Sequence, residues 1–285
     1  YSLSYLTRSI RVNTLKASIS KVKKRLEDKG WILYKIPFCK EGFWVVHKTG
    51  RLDIGNVLEY SLGYYYVQEA ASMIPPVVLD PQENDLVLDL CAAPGSKTTQ
   101  IGQYLNNTGL LIANDLNDMR MKPLGMNVQR IGLTNTIITK MYGQWFKKKG
   151  IMFDKILVDA PCSGTGTIRK SVKTLKIWNP IMIDRLASTQ KKLIKGAFNI
   201  LKPGGTMVYS TCSTEPTENE GVVTHLLETF PEAKIQDIEM DINRSECYTE
   251  FEGVEFNPEV KKCLRLWPQD NNTEGFFVTK ITKEL

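Results

Sequence analysis

Residues 86–98 read Leu86-Val87-Leu88-Asp89-Leu90-Cys91-Ala92-Ala93-Pro94-Gly95-Ser96-Lys97-Thr98, and this stretch decides the fold class. The run Leu86–Leu90 suits a strand buried on both faces, as in a parallel sheet. Small residues at 92, 93 and 95 let the backbone approach a ligand, and the helix predicted over Thr98–Leu105 turns its amino terminus toward the same place. Spacing excludes two nucleotide-binding patterns. A P-loop needs G-x-x-x-x-G-K-[ST], whereas Ser96 separates Gly95 from Lys97 with no glycine upstream; the dinucleotide pattern G-x-G-x-x-G is absent too. The loop suits a ligand without a polyphosphate.

Strands and helices alternate beyond it. Strands are predicted at Leu110–Asn114, Thr136–Thr139, Lys155–Asp159, Thr206–Ser210 and Phe276–Ile281, and helices at Asp118–Ile131, Ile181–Leu201 and Asn219–Thr229, with a turn at Lys202-Pro203-Gly204-Gly205. This alternation predicts an α/β, doubly wound, Rossmann-like sheet that binds ligands beyond the carboxyl ends of its strands. The upstream residues read as a small α+β unit. A helix over Ser18–Lys29 stops at Gly30, strands follow at Trp31–Ile36 and Phe43–His47, and Tyr64–Val67 leads into a short helix over Gln68–Met73 that Pro75-Pro76 is expected to end. The division expected is 1–75 for the small unit and 76–285 for the larger domain.

A chain of 285 residues, 42% hydrophobic and 24% charged, can bury a sizeable core, which excludes disorder and disulfide-scaffold classes. No apolar run approaches the roughly 20 residues that span a bilayer. No signal peptide is expected, since Arg8 and Arg11 are followed by Asn13, Thr14 and Lys16 rather than by an apolar run. The six cysteines (39, 91, 162, 212, 247 and 263) form no C-x-x-C pair, and only His47 and His225 could join them. No metal site is expected, and scattered thiols suit a reducing cytoplasm. The net charge of +6 is unevenly spread: residues 1–50 carry +8, 141–200 carry +9 and 201–260 carry −10. Lys147, Lys148 and Lys149 alone would read as a solvated loop. Two basic stretches meet a polyanion only if folding unites them, and the acidic stretch should then lie on the far face, apart from Cys212.

The residues at predicted strand ends carry the chemistry. Asp115, after Leu110–Asn114, can take both hydroxyls of a ribose or cap the next helix. A nucleoside ligand without a polyphosphate fits, and S-adenosylmethionine is the common cofactor of that description. Two cysteines lie just past strand ends, in Asp159-Ala160-Pro161-Cys162-Ser163-Gly164 and Ser210-Thr211-Cys212-Ser213. A lone strand cysteine is usually packing; two at the ligand edge suggest nucleophilic chemistry. C5 of a pyrimidine is too weak a nucleophile to attack a methyl donor until a thiolate adds to C6. Such a thiol, with an ordinary pKa of about 8.5, needs a site that favours the anion. Asp159 is placed to contact the ring at N3 and the N4 amino group, and a second thiol or a water to remove the C5 proton.

These motifs resemble the Sun/Nop-type RNA cytosine-5 methyltransferases, particularly archaeal tRNA members, over nearly the whole chain. The matching pieces are RVNTLK (Arg11–Lys16), QEAASMIP (Gln68–Pro75), DLCAAPGSKT (Asp89–Thr98), DAPCSG (Asp159–Gly164), STCS (Ser210–Ser213) and GFF (Gly275–Phe277). The resemblance implies a nucleophile at Cys212, product release assisted by Cys162, a cytosine contact at Asp159 and base orientation by Lys97. DNA cytosine methyltransferases use the cysteine of a P-C motif, so this order of roles comes from the resemblance and not from spacing. It also implies S-adenosylmethionine on Cys91, Ala92, Ala93, Pro94, Gly95, Ser96, Lys97, Asp115 and Arg120, with Asp159 near its methionyl end. Where the family has an acid before glycine, this chain has Tyr142-Gly143, so Tyr142 is expected to take over the adenine contact.

RNA is the expected partner, most simply tRNA, because base chemistry needs a ring out of its stack. Arg11, Arg169, Lys170 and Lys173 are expected phosphate contacts beside the cleft of a monomer. The alternatives are an rRNA substrate, a methyltransferase acting on an exocyclic amine or a protein, and a retired RNA-binding scaffold. An exocyclic-amine enzyme would carry N/D-P-P-Y/F where this chain has Asp159-Ala160-Pro161-Cys162, and a retired scaffold has no need of both thiols.

Overall fold

The computed structural model describes residues 4–142, 144–148 and 150–284; Gly143 and Lys149, both named above, lie outside them. The first sheet contains β1 (Ser9–Val12), β2 (Trp31–Lys35), β3 (Gly42–His47) and β4 (Tyr65–Val67), all antiparallel in the order β2-β3-β1-β4. In β2 burial alternates, with Trp31 and Leu33 inside and Ile32 and Tyr34 outside, as expected for a sheet with one solvated face. The helix Ile19–Glu27 is capped by Ser18, whose hydroxyl accepts from Lys21 N, and it lays Val22 and Leu26 on that sheet.

The prolines at 75 and 76 do the opposite of what the sequence suggested. They open the helix Ile74–Leu79 rather than ending one, and Ala71–Met73 is only a 3₁₀ turn. A first-turn N–H has no intrahelical acceptor, so proline loses nothing there.

The second sheet comprises β5 (Leu86–Asp89), β6 (Leu110–Asn114), β7 (Thr136–Thr139), β8 (Phe153–Asp159), β9 (Leu201–Thr211), β10 (Ala233–Gln236), β13 (Leu264–Leu266) and β14 (Phe276–Lys283); β11 (Glu250–Phe251) and β12 (Val254–Glu255) form a separate hairpin. Its order is β10-β14-β9-β8-β5-β6-β7, with β13 also on β14; the five strands β9-β8-β5-β6-β7 are parallel and β14 runs antiparallel to β9. The predicted turn at 202–205 lies inside β9, where pairing to β8 jumps from Leu201–Phe153 to Thr206–Lys155. Side chains alternate between faces: Val87, Leu111, Leu157 and Val208 enter one core, and Leu88, Ile112, Ile156 and Met207 the other. The chain leaves β5 toward β6 on one side and reaches β8 on the other. This is the reversal at which doubly wound sheets open a crevice.

The RVNTLK stretch docks the first sheet onto the helices Ser96–Tyr104 and Asp118–Ile131. Asn13 donates to Gly63 O and Ile131 O, both at 2.8 Å, and Lys16 Nζ donates to Leu62 O and Arg130 O. Arg11 is fully buried, donating to Ser96 O (2.9 Å), Thr99 Oγ1 (2.9 Å), Gln103 and Gln68. The expected phosphate contact at Arg11 is therefore overturned, because every face of its guanidinium is spent inside the protein.

Candidate active site at the carboxyl end of the sheet

The loop after β5 is fixed from three sides. Asp89, at the end of the strand, accepts from Thr98 Oγ1 at 2.6 Å. Ala92 N donates to Asn114 O of β6 (2.8 Å), Ala93 N to Asp115 Oδ2 (3.0 Å), and Arg120 to Ala93 O. Gly95, at φ +103°, turns the chain into the helix Ser96–Tyr104, a conformation glycine adopts freely. Asp115 Oδ1 also accepts from Asn117 N (2.9 Å), and Asn117, not Asp115, caps the helix Asp118–Ile131.

The ends of β8 and β9 bring the other expected groups together. Lys97 Nζ donates to Asp159 Oδ2 at 2.7 Å and to Ser72 Oγ at 3.0 Å, and lies 5.3 Å from the centre of the Phe276 ring. Ser210 Oγ donates to Asp159 Oδ1 at 2.8 Å. Burial disfavours charge on Lys97, but Asp159 and then Cys212 outweigh it and hold its pKa above the ordinary lysine value. The Sγ atoms of Cys162 and Cys212 are 3.3 Å apart. The hydrogen bond to Cys212 and burial push the Cys162 thiol well up, so Cys162 keeps its proton.

Two adjoining cavities meet at Asp159 and Cys212. One of about 440 Å³ is lined by Ser72, Asp89, Lys97 and Phe276 among others, and one of about 520 Å³ by Asp115, Leu116, Met141, Cys162 and Leu193. Cys91, Ala160 and Arg120 border both. Among the described residues no group of side chains could hold a metal ion.

Several expected positions differ. Tyr142 is half exposed, stands edge-on to Trp145 with ring centres 5.5 Å apart, and lines neither cavity. The residue before it, Met141, reaches the larger cavity because Asn114 grips its backbone N and O, each at 2.9 Å. Arg169 donates to Ser4 O and Tyr5 O, tying down the amino-terminal segment beside the cleft. Lys170 is on the rim, 3.6 Å from Glu274, and Lys173 is exposed at the start of the helix Lys173–Ile177. The acidic stretch is not wholly remote, since Glu218 and Glu220 are fully buried and Glu220 pairs with Arg265 at 2.6 Å.

Sequence reasoning did not single out Asp89, Ser72, Met141 or Glu218 for the site. Asp89 alone carried a signal, as an acid closing the first strand. Its Oδ1 is buried with no hydrogen-bond partner, and burial raises its pKa to about 7.

Comparison with known proteins agrees with this layout. Residues 76–282 match the family described as 16S rRNA methyltransferase RsmB/F, and residues 2–70 match the N-terminal domain of 16S rRNA methyltransferase RsmF. The chain is 44% identical over 284 residues to the tRNA (cytosine(49)-C(5))-methyltransferase of Pyrococcus abyssi, covering 99% of this chain and 90% of that protein. It is 42% identical to ribosomal RNA small subunit methyltransferase F of Shewanella oneidensis, covering 98% of this chain but only 57% of that longer protein. The crystal structure of NSun6 from Pyrococcus horikoshii with SFG, an S-adenosylmethionine analogue, superposes with a TM-score of 0.86 at 25% identity, covering 99% of this chain and 92% of that one.

Proposed function

The chain belongs to the RsmB/F family of RNA cytosine-5 methyltransferases, and from that premise we propose that it methylates C5 of a cytosine in tRNA, with S-adenosylmethionine as donor and Cys212 as nucleophile. The observation that carries this reading is the pair of thiols 3.3 Å apart beside the Lys97–Asp159 ion pair, where two cavities meet.

The residues present fit the donor. The buried, unpartnered Asp89 Oδ1 is an acceptor suited to an ammonium group, and Asp115 keeps free lone pairs for ribose hydroxyls. Leu116, Met141 and Leu193 offer an apolar slot for a purine. Cys91 and Arg120 border both cavities, Ala92, Ala93, Pro94 and Ser96 line the smaller one, Gly95 turns the loop into its helix, and Asp159 stands where the cavities join. S-adenosylmethionine supplies an electrophilic methyl group.

The protein's own groups do the rest. The Cys212 thiolate forms a bond to C6 of cytosine, and the displaced electron pair makes C5 nucleophilic. Lys97, fixed by Asp159 and Ser72, presents its ammonium to the ring as charge builds there. Asp159 accepts from the N4 amino group. After Cys212 has bonded to C6, Cys162 releases its own proton to solvent; once C5 carries the methyl group, the Cys162 thiolate takes the C5 proton, the C6–S bond breaks and the electron pair returns to Cys212. Cys212 times that release: while Cys212 is free, the hydrogen bond that Cys162 donates to its sulfur is the largest of the effects that keep Cys162 protonated, and it is lost when Cys212 becomes a thioether.

The chain divides at residue 75. Residues 1–75 guide the RNA, with Lys170 and Lys173 as phosphate contacts at the rim and Arg169 fixing the neighbouring segment; residues 76–285 carry the chemistry, and a single copy holds all of it. The free thiols suit a reducing compartment such as the cytoplasm. A second reading, rRNA, is favoured by the similarity to methyltransferase F. The test is incubation with S-adenosylmethionine and either unmodified tRNA or small-subunit rRNA, then nuclease digestion and mass spectrometry. 5-Methylcytidine from tRNA supports the proposal, its appearance only from rRNA moves the substrate, and its absence from both defeats the reading.

A further inference from the structure

We propose that Glu218, which touches neither sulfur, is the positioning residue that sets the distance between the two thiols. The inference deepens the reading above and rests on its assignment of Cys212 and Cys162. Each cysteine is followed by a serine, and both serines converge on one carboxylate. Glu218 Oε1 accepts from Ser163 N at 3.0 Å, and Oε2 from Ser213 Oγ at 2.6 Å and from Ser163 Oγ. The two hydroxyls are also 3.1 Å from each other. Gln190 Nε2 completes the set, donating to Glu218 Oε1 (2.8 Å) and to Pro161 O (2.9 Å). Cys162 is thus held through both chain neighbours, Pro161 and Ser163.

Cys212 is held in the same way by the next residue. Asn219 Nδ2 donates to Ser213 O at 2.9 Å, and its Oδ1 accepts from Thr211 Oγ1 at 2.6 Å, so both neighbours of Cys212 are gripped. Gly166 N donates to Cys212 O at 2.9 Å, and a side chain at 166 would stand 2.7 Å from that oxygen, leaving no room for the loop to shift. Glu218 itself is fully buried, and Tyr209 OH donates to its backbone carbonyl at 2.6 Å. A buried carboxylate keeps its acceptors only while its donors stay in place, so Glu218 ties the end of β8 to the end of β9. The sulfurs follow, because each is one residue from a clamped serine.

The role differs from general stabilisation, because it fixes a distance on which a proton transfer depends. Displacement by about 1 Å can cost on the order of 100-fold in rate. In Glu218→Gln one acceptor oxygen becomes an amide donor facing donors, which opens the clasp while keeping the volume.

The experiment compares wild type, Glu218→Gln and the double variant Ser163→Ala/Ser213→Ala. It measures kcat, KM for tRNA, S-adenosylmethionine affinity, melting temperature and capture of paired thiols by phenylarsine oxide, a reagent that needs two sulfurs close together. The expected result is a fall in kcat of roughly 10- to 100-fold, KM and cofactor affinity within about threefold of wild type, and loss of arsenical capture. A covalent RNA–protein complex should also accumulate, because release falters when Cys162 is displaced. Unchanged kcat and capture in the variants, with wild type active, overturns the positioning role. Loss of kcat with capture intact overturns it too. If Glu218→Gln does not fold, the serine double variant decides on the same readouts. An inactive wild type that still captures the arsenical counts against the methyltransferase reading and not against the clasp.

Discussion

Lys97 and Asp159 come from different elements, 62 residues apart, and their Nζ and Oδ2 atoms meet at 2.7 Å with only 7% of Lys97 exposed. Asp159 keeps Lys97 charged where burial alone would disfavour the charge. In Lys97→Met the half-buried Asp159 keeps only Ser210, so we expect a loss of about 2 kcal/mol of stability together with loss of methyl transfer. The double variant Lys97→Met/Asp159→Leu should regain most of that stability and none of the activity. Chemical denaturation of the four corners of the cycle checks this, and purely additive losses would refute the coupling.

The thiols are separable by trapping. Cys162→Ala should accumulate a covalent RNA–protein band on denaturing gels, because Cys212 can add to C6 while the C5 proton stays on. Cys212→Ala should show none. A band in the Cys212 variant instead would reverse the two roles.

Asp89 predicts a pH dependence. Its folded pKa is about 7 against an ordinary 3.8. Between these values the native state holds a proton that the unfolded chain has released, so stability falls as pH rises through this window and is level above it. Three pH units correspond to about 4 kcal/mol. Asp89→Asn should therefore match wild type near pH 3.5 and exceed it by a few kcal/mol at pH 8, while binding S-adenosylmethionine more weakly. Urea midpoints at both pH values test it, and a stability difference that does not vary with pH would dispose of the argument.

Arg11 and the exposed lysines should behave oppositely. Arg11→Met removes a buried cation from Ser96 O, Thr99 and Gln103, and should cost about 3 kcal/mol while leaving the salt slope of RNA binding unchanged. Lys173→Ala with Lys176→Ala, both exposed on the helix Lys173–Ile177, should leave stability unchanged and reduce that slope by about 1.5. Binding titrations across salt concentrations separate the two, and a slope that changes in the Arg11 variant would restore it as an RNA contact.

The adenine contact is testable in the same manner. Tyr142→Ala should change cofactor affinity by less than about twofold, since the ring rests against Trp145 outside the cavities. Asp115→Ala should weaken it at least about tenfold and loosen the loop at Ala93. Calorimetric titration decides, and a large loss at Tyr142 would put the ring back in the site.

The central sheet was legible because its strands bury both faces and its loops carry small residues, a pattern that local chemistry alone imposes. Asp118–Ile131 and Thr136–Thr139 were predicted with the boundaries observed. The strand β1 was hidden because Arg11 reads as a surface residue, and its burial depends on the Ser96 carbonyl and on side chains of the helix Ser96–Tyr104. Pro75 and Pro76 misled because proline marks both the start and the stop of helices, and only the surrounding packing selects between them.

The sheet, the loop, the two cysteines and the kind of chemistry they imply can be read along the chain, since each rests on a short stretch and the intrinsic reactivity of its side chains. Which charges are interior depends on how distant segments pack together. Glu218 sits in the most acidic stretch of the chain, where an acid reads as solvated, yet it is buried under both thiols with four donors around it. Arg11 sits in a basic stretch and never meets solvent. A charge can be buried only where partners from distant segments converge on it, and that convergence is a property of the fold, absent from any window of residues.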